Sequence, residues 1–391
     1  MAEPAAYKAI MAACPETISY DKAVTYLATF AAQFEGVENA DVIIDNVSND
    51  SAAAVNALLR AGKNVAMITE GDEKGNFICS YEDFLTIAKD YVITATGVYG
   101  ANYKAAVILN PLVFLPGKPA NNTSGYVETT LRSGSYNYRF DWLALTAMGF
   151  TMTEDLSKAN VIVGSQKLSD EALGAVKAGT PYMAYGATAF MGEGNFLLGL
   201  GVKLDSCTMG TDFLGRVVYP SNTLVNASYI NEADDVMYEY GTNWFTKIPE
   251  GATVLVQNAG KAPLQGCICL TDDELTEEFN QYNNGVVGFE YQSGKLDMAL
   301  FANVLNHKIH QTDEYTFISN FIFSRSLTET AYEGVAQPEN PDPVNPGKPE
   351  EPGKPDAPKT GDTSSIIVWV LAASFTVVMI PMTVTLKRKA R

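Results

Sequence analysis

Eight prolines stand between Pro338 and Pro358, one every two or three residues. Proline locks φ and has no amide hydrogen to donate, so this stretch neither continues a helix nor joins a sheet. Any core the chain builds therefore lies before it. The stretch itself reads as a disordered, polyproline-II-like spacer. At about 3.1 Å per residue its 21 residues reach roughly 65 Å.

The preceding part has the means to fold. The chain is 391 residues long, 47% hydrophobic and 18% charged, too apolar for a disordered chain and long enough for two or three domains. Acids outnumber bases 45 to 27, for a net charge of -18, and the excess lies within residues 1–333. A nucleic-acid partner is excluded, because binding phosphate needs cations to displace counterions. Five cysteines are too few for a disulfide scaffold at this length. Cys14, Cys79 and Cys207 are isolated, and Cys267 and Cys269 read as buried thiols on one face of a strand.

The end of the chain states a location. Ile366 to Leu386 carries no charge over 21 residues, enough to cross about 30 Å of hydrocarbon. Pro381 is tolerable in such a helix. Lys387, Arg388, Lys389 and Arg391 follow, which places this end in the cytoplasm and the body outside. Ahead of the span stand Pro358, Lys359, Thr360 and Gly361. With the span and the basic tail they resemble the sorting signal of Gram-positive surface proteins, which a sortase cleaves between Thr and Gly to join the Thr to the cell wall. The resemblance implies a cut between Thr360 and Gly361. Ala357 stands where that signal usually has Leu; without cleavage the segment remains a membrane anchor. Met1-Ala2-Glu3-Pro4 opens no signal peptide. An exported topology then implies the C-terminal part of a longer precursor, or an internal start.

Short apolar runs and helical stretches alternate through the body. Strands are expected at Asp41–Asp45, Asn64–Thr69, Tyr91–Thr96 and Ala105–Leu109, with helices at Ser51–Ala61, capped by Asp50 or Ser51, and Ser80–Tyr91. The first strand, helix and second strand read as a βαβ unit. A second series expects a helix at Phe140–Met148, a strand at Asn160–Gly164, a helix at Asp170–Lys177 and a strand at Pro181–Tyr185. Further strands are expected at Thr253–Gln257, Cys267–Leu270, Gly285–Glu290 and Met298–Ala302, and a closing helix at Thr312–Ser326. The fold class is α/β, flavodoxin-like with mostly parallel sheets, followed by the stalk and one transmembrane helix. Gly186 to Gly251 reads as irregular, an insertion or a long excursion over the core.

Candidate chemistry is sparse. The turn Tyr185-Gly186-Ala187-Thr188-Ala189 follows a strand, the place where α/β folds display a nucleophile. Its centre is Ala187, with neither sulfur nor hydroxyl, and Thr188 beside it has no base nearby in the sequence. His307 and His310 are the only histidines. They are three apart and near Asp313 and Glu314, a weak surface metal site or polar packing.

Residues of roughly 40–330 resemble the region downstream of the catalytic domain in large surface zinc carboxypeptidases of the M14 family from Firmicutes. The stretches that carry this are Ala53–Leu59 with Val65–Thr69, Asp141–Leu145 through Phe150, Asn160–Ser165, and His310–Tyr315. The later part is similar to class I glutamine amidotransferase-like domains of flavodoxin-like fold, whose active members carry a Cys where Ala187 stands. The M14 zinc site requires His-x-x-Glu and a later His. Here Asp313 follows His310 at that spacing and no histidine comes after. The resemblance thus implies no catalytic, cofactor or metal residue in this chain, and puts the zinc and the peptidase domain upstream of Met1.

The expected division is an α/β region at 1–103, an amidotransferase-like domain at 104–333, a linker with the sorting motif at 334–365, the membrane helix at 366–386 and a tail at 387–391. The first functional expectation is a non-catalytic accessory region, held on the outer face of the membrane or wall, that positions the enzyme or helps hold a peptide or wall substrate. The second is a stand-alone binder of peptide or glycan, using exposed aromatics among Tyr136, Tyr138, Tyr238 and Trp244. The third is a hydrolase built on Thr188 or on Asp234 and Asp235.

Overall fold

The computed structural model describes residues 40–117, 136–190, 195–206, 212–229, 236–240, 243–260, 264–266, 280, 282–307 and 312–338. The unit that contains them runs to Pro338, at the head of the proline-rich stretch. The sorting motif Pro358, Lys359, Thr360 and Gly361 and the span 366–386 lie outside the described residues. Among the described residues no helix is long and apolar enough to cross a membrane.

Mixed α/β architecture is present, in two sheets. The first holds β1 (Asp41–Ile44), β2 (Val65–Ile68), β3 (Phe77–Ser80), β4 (Ala95–Val98), β5 (Ala105–Ile108) and β18 (Leu327–Ala331), in the order β18-β5-β2-β3-β1-β4. Every pairing in it is antiparallel, which corrects the expectation of parallel pairing here. The reason is local. Helix α1 (Asn49–Arg60) does carry β1 over to β2, and the two strands run the same way. The short run Phe77–Ser80 then turns back and inserts between them as β3. Sheet membership also crosses the expected division at residue 104, since β5 and β18 both complete the first sheet. Helix α1 is capped by Ser48, whose Oγ accepts from the Ser51 amide at 3.2 Å. Ser51 instead donates its hydroxyl to the Asp45 carbonyl, and Asp50 accepts from the Val92 amide. Helix α2 (Tyr81–Ile87) starts at Ser80 as expected.

The second sheet has a parallel half made of β6 (Leu112–Phe114), β7 (Thr151–Thr153), β8 (Val161–Gly164), β9 (Tyr182–Tyr185) and β17 (Leu296–Phe301). Their spatial order is β7-β6-β8-β9-β17. Numbered along the chain this is 2-1-3-4-5, the flavodoxin-like doubly wound order. Strands β8 and β9 are buried along their whole length, because helices cover both faces of such a sheet. The helices are α3 (Tyr136–Ala147), α4 (Asp170–Ala178), α5 (Ala187–Phe190) and α6 (Phe196–Gly199).

Beyond β17 the sheet continues antiparallel through β16 (Val286–Ser293), β14 (Thr253–Asn258), β11 (Asp212–Val218) and β12 (Val236–Tyr240), joined by β10 (Lys203–Ser206), β13 (Asn243–Lys247) and β15 (Gln265–Gly266). The stretch 186–251, expected to be irregular, therefore supplies two helices and four strands among the described residues. Strand β10 has no buried position, and β12 was concealed by a polar residue on its inner face. In β12 the inward positions are Met237 and Glu239, so the usual alternation of apolar and polar residues is broken.

Helix α7 (Tyr315–Ser324) lies between the sheets. Nine of its residues, Tyr315 to Phe323, are buried, as a helix apolar on all sides must be. Phe317 packs on Phe301 of β17, ring centroids 4.9 Å apart, and Phe323 packs on Phe77 of β3 at 5.0 Å. One helix thus joins both sheets into one core. At about 1.5–3 kcal/mol per buried aromatic side chain, α7 is a principal source of their cohesion.

Candidate polar site at the carboxyl ends of the parallel strands

A doubly wound sheet places ligands outside the carboxyl ends of its strands. Four segments at that end meet on Asp141 of α3, which is fully buried. Ser165, directly after β8, donates its amide to Oδ2 at 2.9 Å and its hydroxyl to the same oxygen at 2.7 Å. Tyr185, the last residue of β9, donates its hydroxyl to Oδ1 at 2.9 Å, and Asn306, after β17, donates Nδ2 to Oδ1 at 2.8 Å. Burial pushes the Asp141 carboxyl above its ordinary range, against the pull of these hydrogen bonds. A carboxylate has about four acceptor positions, and four donors fill them here. The group works as a tie between α3, β8, β9 and the segment after β17.

The same segment reaches a second buried acid. Asn303 donates Nδ2 to Oε2 of Glu239 at 3.2 Å, and the Tyr282 hydroxyl donates to Oε1. Asn303 Oδ1 accepts from the Asn243 amide at 2.8 Å. Burial raises the Glu239 carboxyl to about 8, opposed by the Tyr282 and Asn303 hydrogen bonds. Gly215 of β11 must be glycine, since a Cβ there would collide with the Glu239 carboxyl and the Tyr282 hydroxyl. Next to Asn306, the buried His307 ring stacks on Tyr240, centroids 3.5 Å and planes 12° apart, and meets the edge of Phe140.

The turn after β9 has the backbone of a strand-to-helix elbow. Gly186 sits at φ +82, and a Cβ on it would fall 2.5 Å from Val304 Cγ2. Ala187 opens α5, and Thr188 is exposed on it. The hydroxyl nearest in character to a nucleophile, that of Ser165, is buried and bound to Asp141.

The other expected residues scatter. Asp313 is exposed, while Glu314 is buried and accepts from the Tyr238 amide at 2.8 Å. His310, Asp234, Asp235, Cys14, Cys207, Cys267 and Cys269 lie outside the described residues, as does the Tyr136 side chain. Tyr138 and Trp244, expected as exposed binding aromatics, are 3% exposed and buried; Tyr138 packs in the hydrophobic core and Trp244 meets the Tyr282 ring edge-on at 6.2 Å. Cys79 is buried, and burial pushes its thiol well up. Among the described residues no three His, Cys, Asp or Glu side chains group to hold a metal. As a group, Asp141, Ser165, Tyr185, Asn306, Glu239 and Asn303 escape sequence reasoning. The available signal was an Asp within the mainly apolar run Phe140–Met148, with an Asn on each side of Val304-Leu305.

No family model matches the sequence, and no curated protein matches it. Several solved structures share parts of its course. A putative GMP synthase protein from Thermoplasma acidophilum is 12% identical over 54% of this chain and 92% of its own, with a TM-score of 0.32. A putative ThuA-like protein from Bacteroides uniformis is 14% identical over 54% and 88%, TM-score 0.33. A glutamine amidotransferase from Thermotoga maritima is 9% identical over 56% and 98%, TM-score 0.32. These likenesses are too loose to say what this chain does.

Proposed function

We propose that this chain is a non-catalytic α/β module carried on a proline-rich stalk at the outer face of the cell membrane or wall, as the accessory region of an M14-type zinc carboxypeptidase whose peptidase domain and zinc lie upstream. What supports the non-catalytic part is the elbow after β9. The left-handed backbone position in it is Gly186, which has no side chain, Ala187 after it has neither sulfur nor hydroxyl, and the nearby acid Asp141 is bonded to Ser165, Tyr185 and Asn306. A carboxylate whose acceptor positions are filled from within has no lone pair left for a substrate proton. Anchoring is supported by the uncharged run 366–386, the cations after it and the motif Pro358-Lys359-Thr360-Gly361. The partners in this reading are the membrane, a sortase with the cell wall, and a peptide or wall substrate. Mass spectrometry of the wall fraction tests the anchoring. A wall-linked form ending at Thr360 is expected, and protein that always retains residues 361–391 would refute sortase processing.

A further inference from the structure

A cavity of about 170 Å³ lies on the helical face of the parallel strands, between α4, α5 and α6 and apart from the acid cluster. Leu173, Phe196 and Leu197 line it, together with Tyr182 from the start of β9. Tyr182 is 1% exposed, and among the described residues its hydroxyl has no hydrogen-bond partner. Tyr182 lines the cavity, so a ligand oxygen there can take up the hydrogen bond that no described protein group makes to this hydroxyl. Lys167 and Asp170, both exposed, complete the lining from the segment after β8. The two make no ion pair with each other, so the lining offers both a donor and an acceptor from one exposed segment.

We propose that this cavity binds a single pyranose ring, the terminal unit of a glycan. Three features select that chemistry. A cavity of about 150 Å³ holds a benzene molecule, so this one admits one six-membered ring with its substituents toward the mouth. Vicinal hydroxyls donate and accept, and so satisfy Asp170 and Lys167 together, whereas a plain carboxylate meets Asp170 unfavourably and an amine meets Lys167 unfavourably. An aliphatic zwitterion such as leucine matches both charges but leaves the Tyr182 hydroxyl bare, which an inner sugar oxygen does not. The inference goes beyond the non-catalytic reading and does not rest on it, since binding is read without turnover and without anchoring.

The test is saturation-transfer NMR on the full chain with glucose, galactose and N-acetylglucosamine, each alone, and leucine as comparison. At least one sugar is expected to bind, and Tyr182→Phe to weaken it by about three- to tenfold, the loss of one hydrogen bond. Leu173→Trp, which fills the cavity, is expected to abolish binding. Should that variant fail to fold, Tyr182→Phe, which removes a single oxygen, still decides. No transfer from any of the three sugars at about 50 mM, binding of leucine in their place, or sugar binding unchanged by Tyr182→Phe would overturn the proposal.

Discussion

Replacing Glu239 by Gln removes a proton equilibrium that folding shifts by several pH units. The ordinary value for this carboxyl is 4.5, and burial raises it to about 8 in the fold. Between those values the folded protein holds the proton and the unfolded chain releases it. Stability from this group is therefore fully present below about pH 4.5, falls as pH rises, and is lost once pH passes about 8. At about 1.4 kcal/mol per pH unit the fall is on the order of 5 kcal/mol as an upper bound, because solvent and side chains rearrange around an ionised group. Glutamine keeps the shape and stays neutral. Its Nε2 can donate to the Tyr282 oxygen, as the hydroxyl of a protonated Glu239 would, while its Oε1 accepts from Asn303. The assay is urea unfolding of the full chain from pH 5 to pH 9, followed by tryptophan fluorescence. Trp244 lies 6.2 Å from the Tyr282 ring and reports on this region. At pH 5 the variant is expected to lie within about 1 kcal/mol of the wild type, and at pH 9 to be the more stable by several kcal/mol. Parallel pH profiles for the two proteins, or a variant that loses stability relative to wild type as pH rises, would refute the reasoning.

Asp141→Ala strips four donors of their acceptor and is expected to cost at least about 3 kcal/mol by denaturant unfolding. Arg325 binds Glu290 at 2.6 Å and Asp297 at 2.9 Å in a site where its side chain is 11% exposed. Arg325→Met should cost about 3–5 kcal/mol, since it leaves both carboxylates without a cation; a loss below about 1 kcal/mol would mean that solvent already screens them. Gly186→Ala forces a side chain into a left-handed backbone and against Val304, and a fall in stability of about 1–3 kcal/mol is expected. Cys79 should resist thiol reagents in the native protein and react on unfolding, because burial disfavours its thiolate; rapid native-state labelling traced to Cys79 by peptide mapping would contradict its placement.

In the parallel half of the second sheet, β8, β9 and β17 were legible as short apolar runs, whereas β6 (Leu112–Phe114) and β7 (Thr151–Thr153) were not, being three residues each and, in β7, flanked by threonines. Val161–Gly164 and Tyr182–Tyr185 fall within a residue of where the sequence puts them. Pairing direction in the first sheet was not legible. The run Phe77–Ser80 is apolar like its neighbours, and nothing local says that it inserts between β1 and β2. The antiparallel extension was hidden for another reason: Glu239 points inward from β12, and its partners Tyr282 and Asn303 come from 43 and 64 residues away in sequence. Burial of a polar group is decided by such distant partners, so a single sequence read locally assigns the position to the surface. Tyr138 and Trp244 were misjudged in the opposite sense, as aromatics in polar stretches that fold inward.

That these residues form a non-catalytic module is tested most directly by release of C-terminal Phe or Arg from a peptide, measured with the purified full chain in the presence and absence of added zinc. A hydrolytic zinc needs several preorganised ligands and a carboxylate free to handle a proton, and the account predicts no release above buffer in either condition. Turnover that requires zinc and disappears in His307→Ala, His310→Ala or Asp141→Ala would contradict it and make this chain an enzyme in its own right.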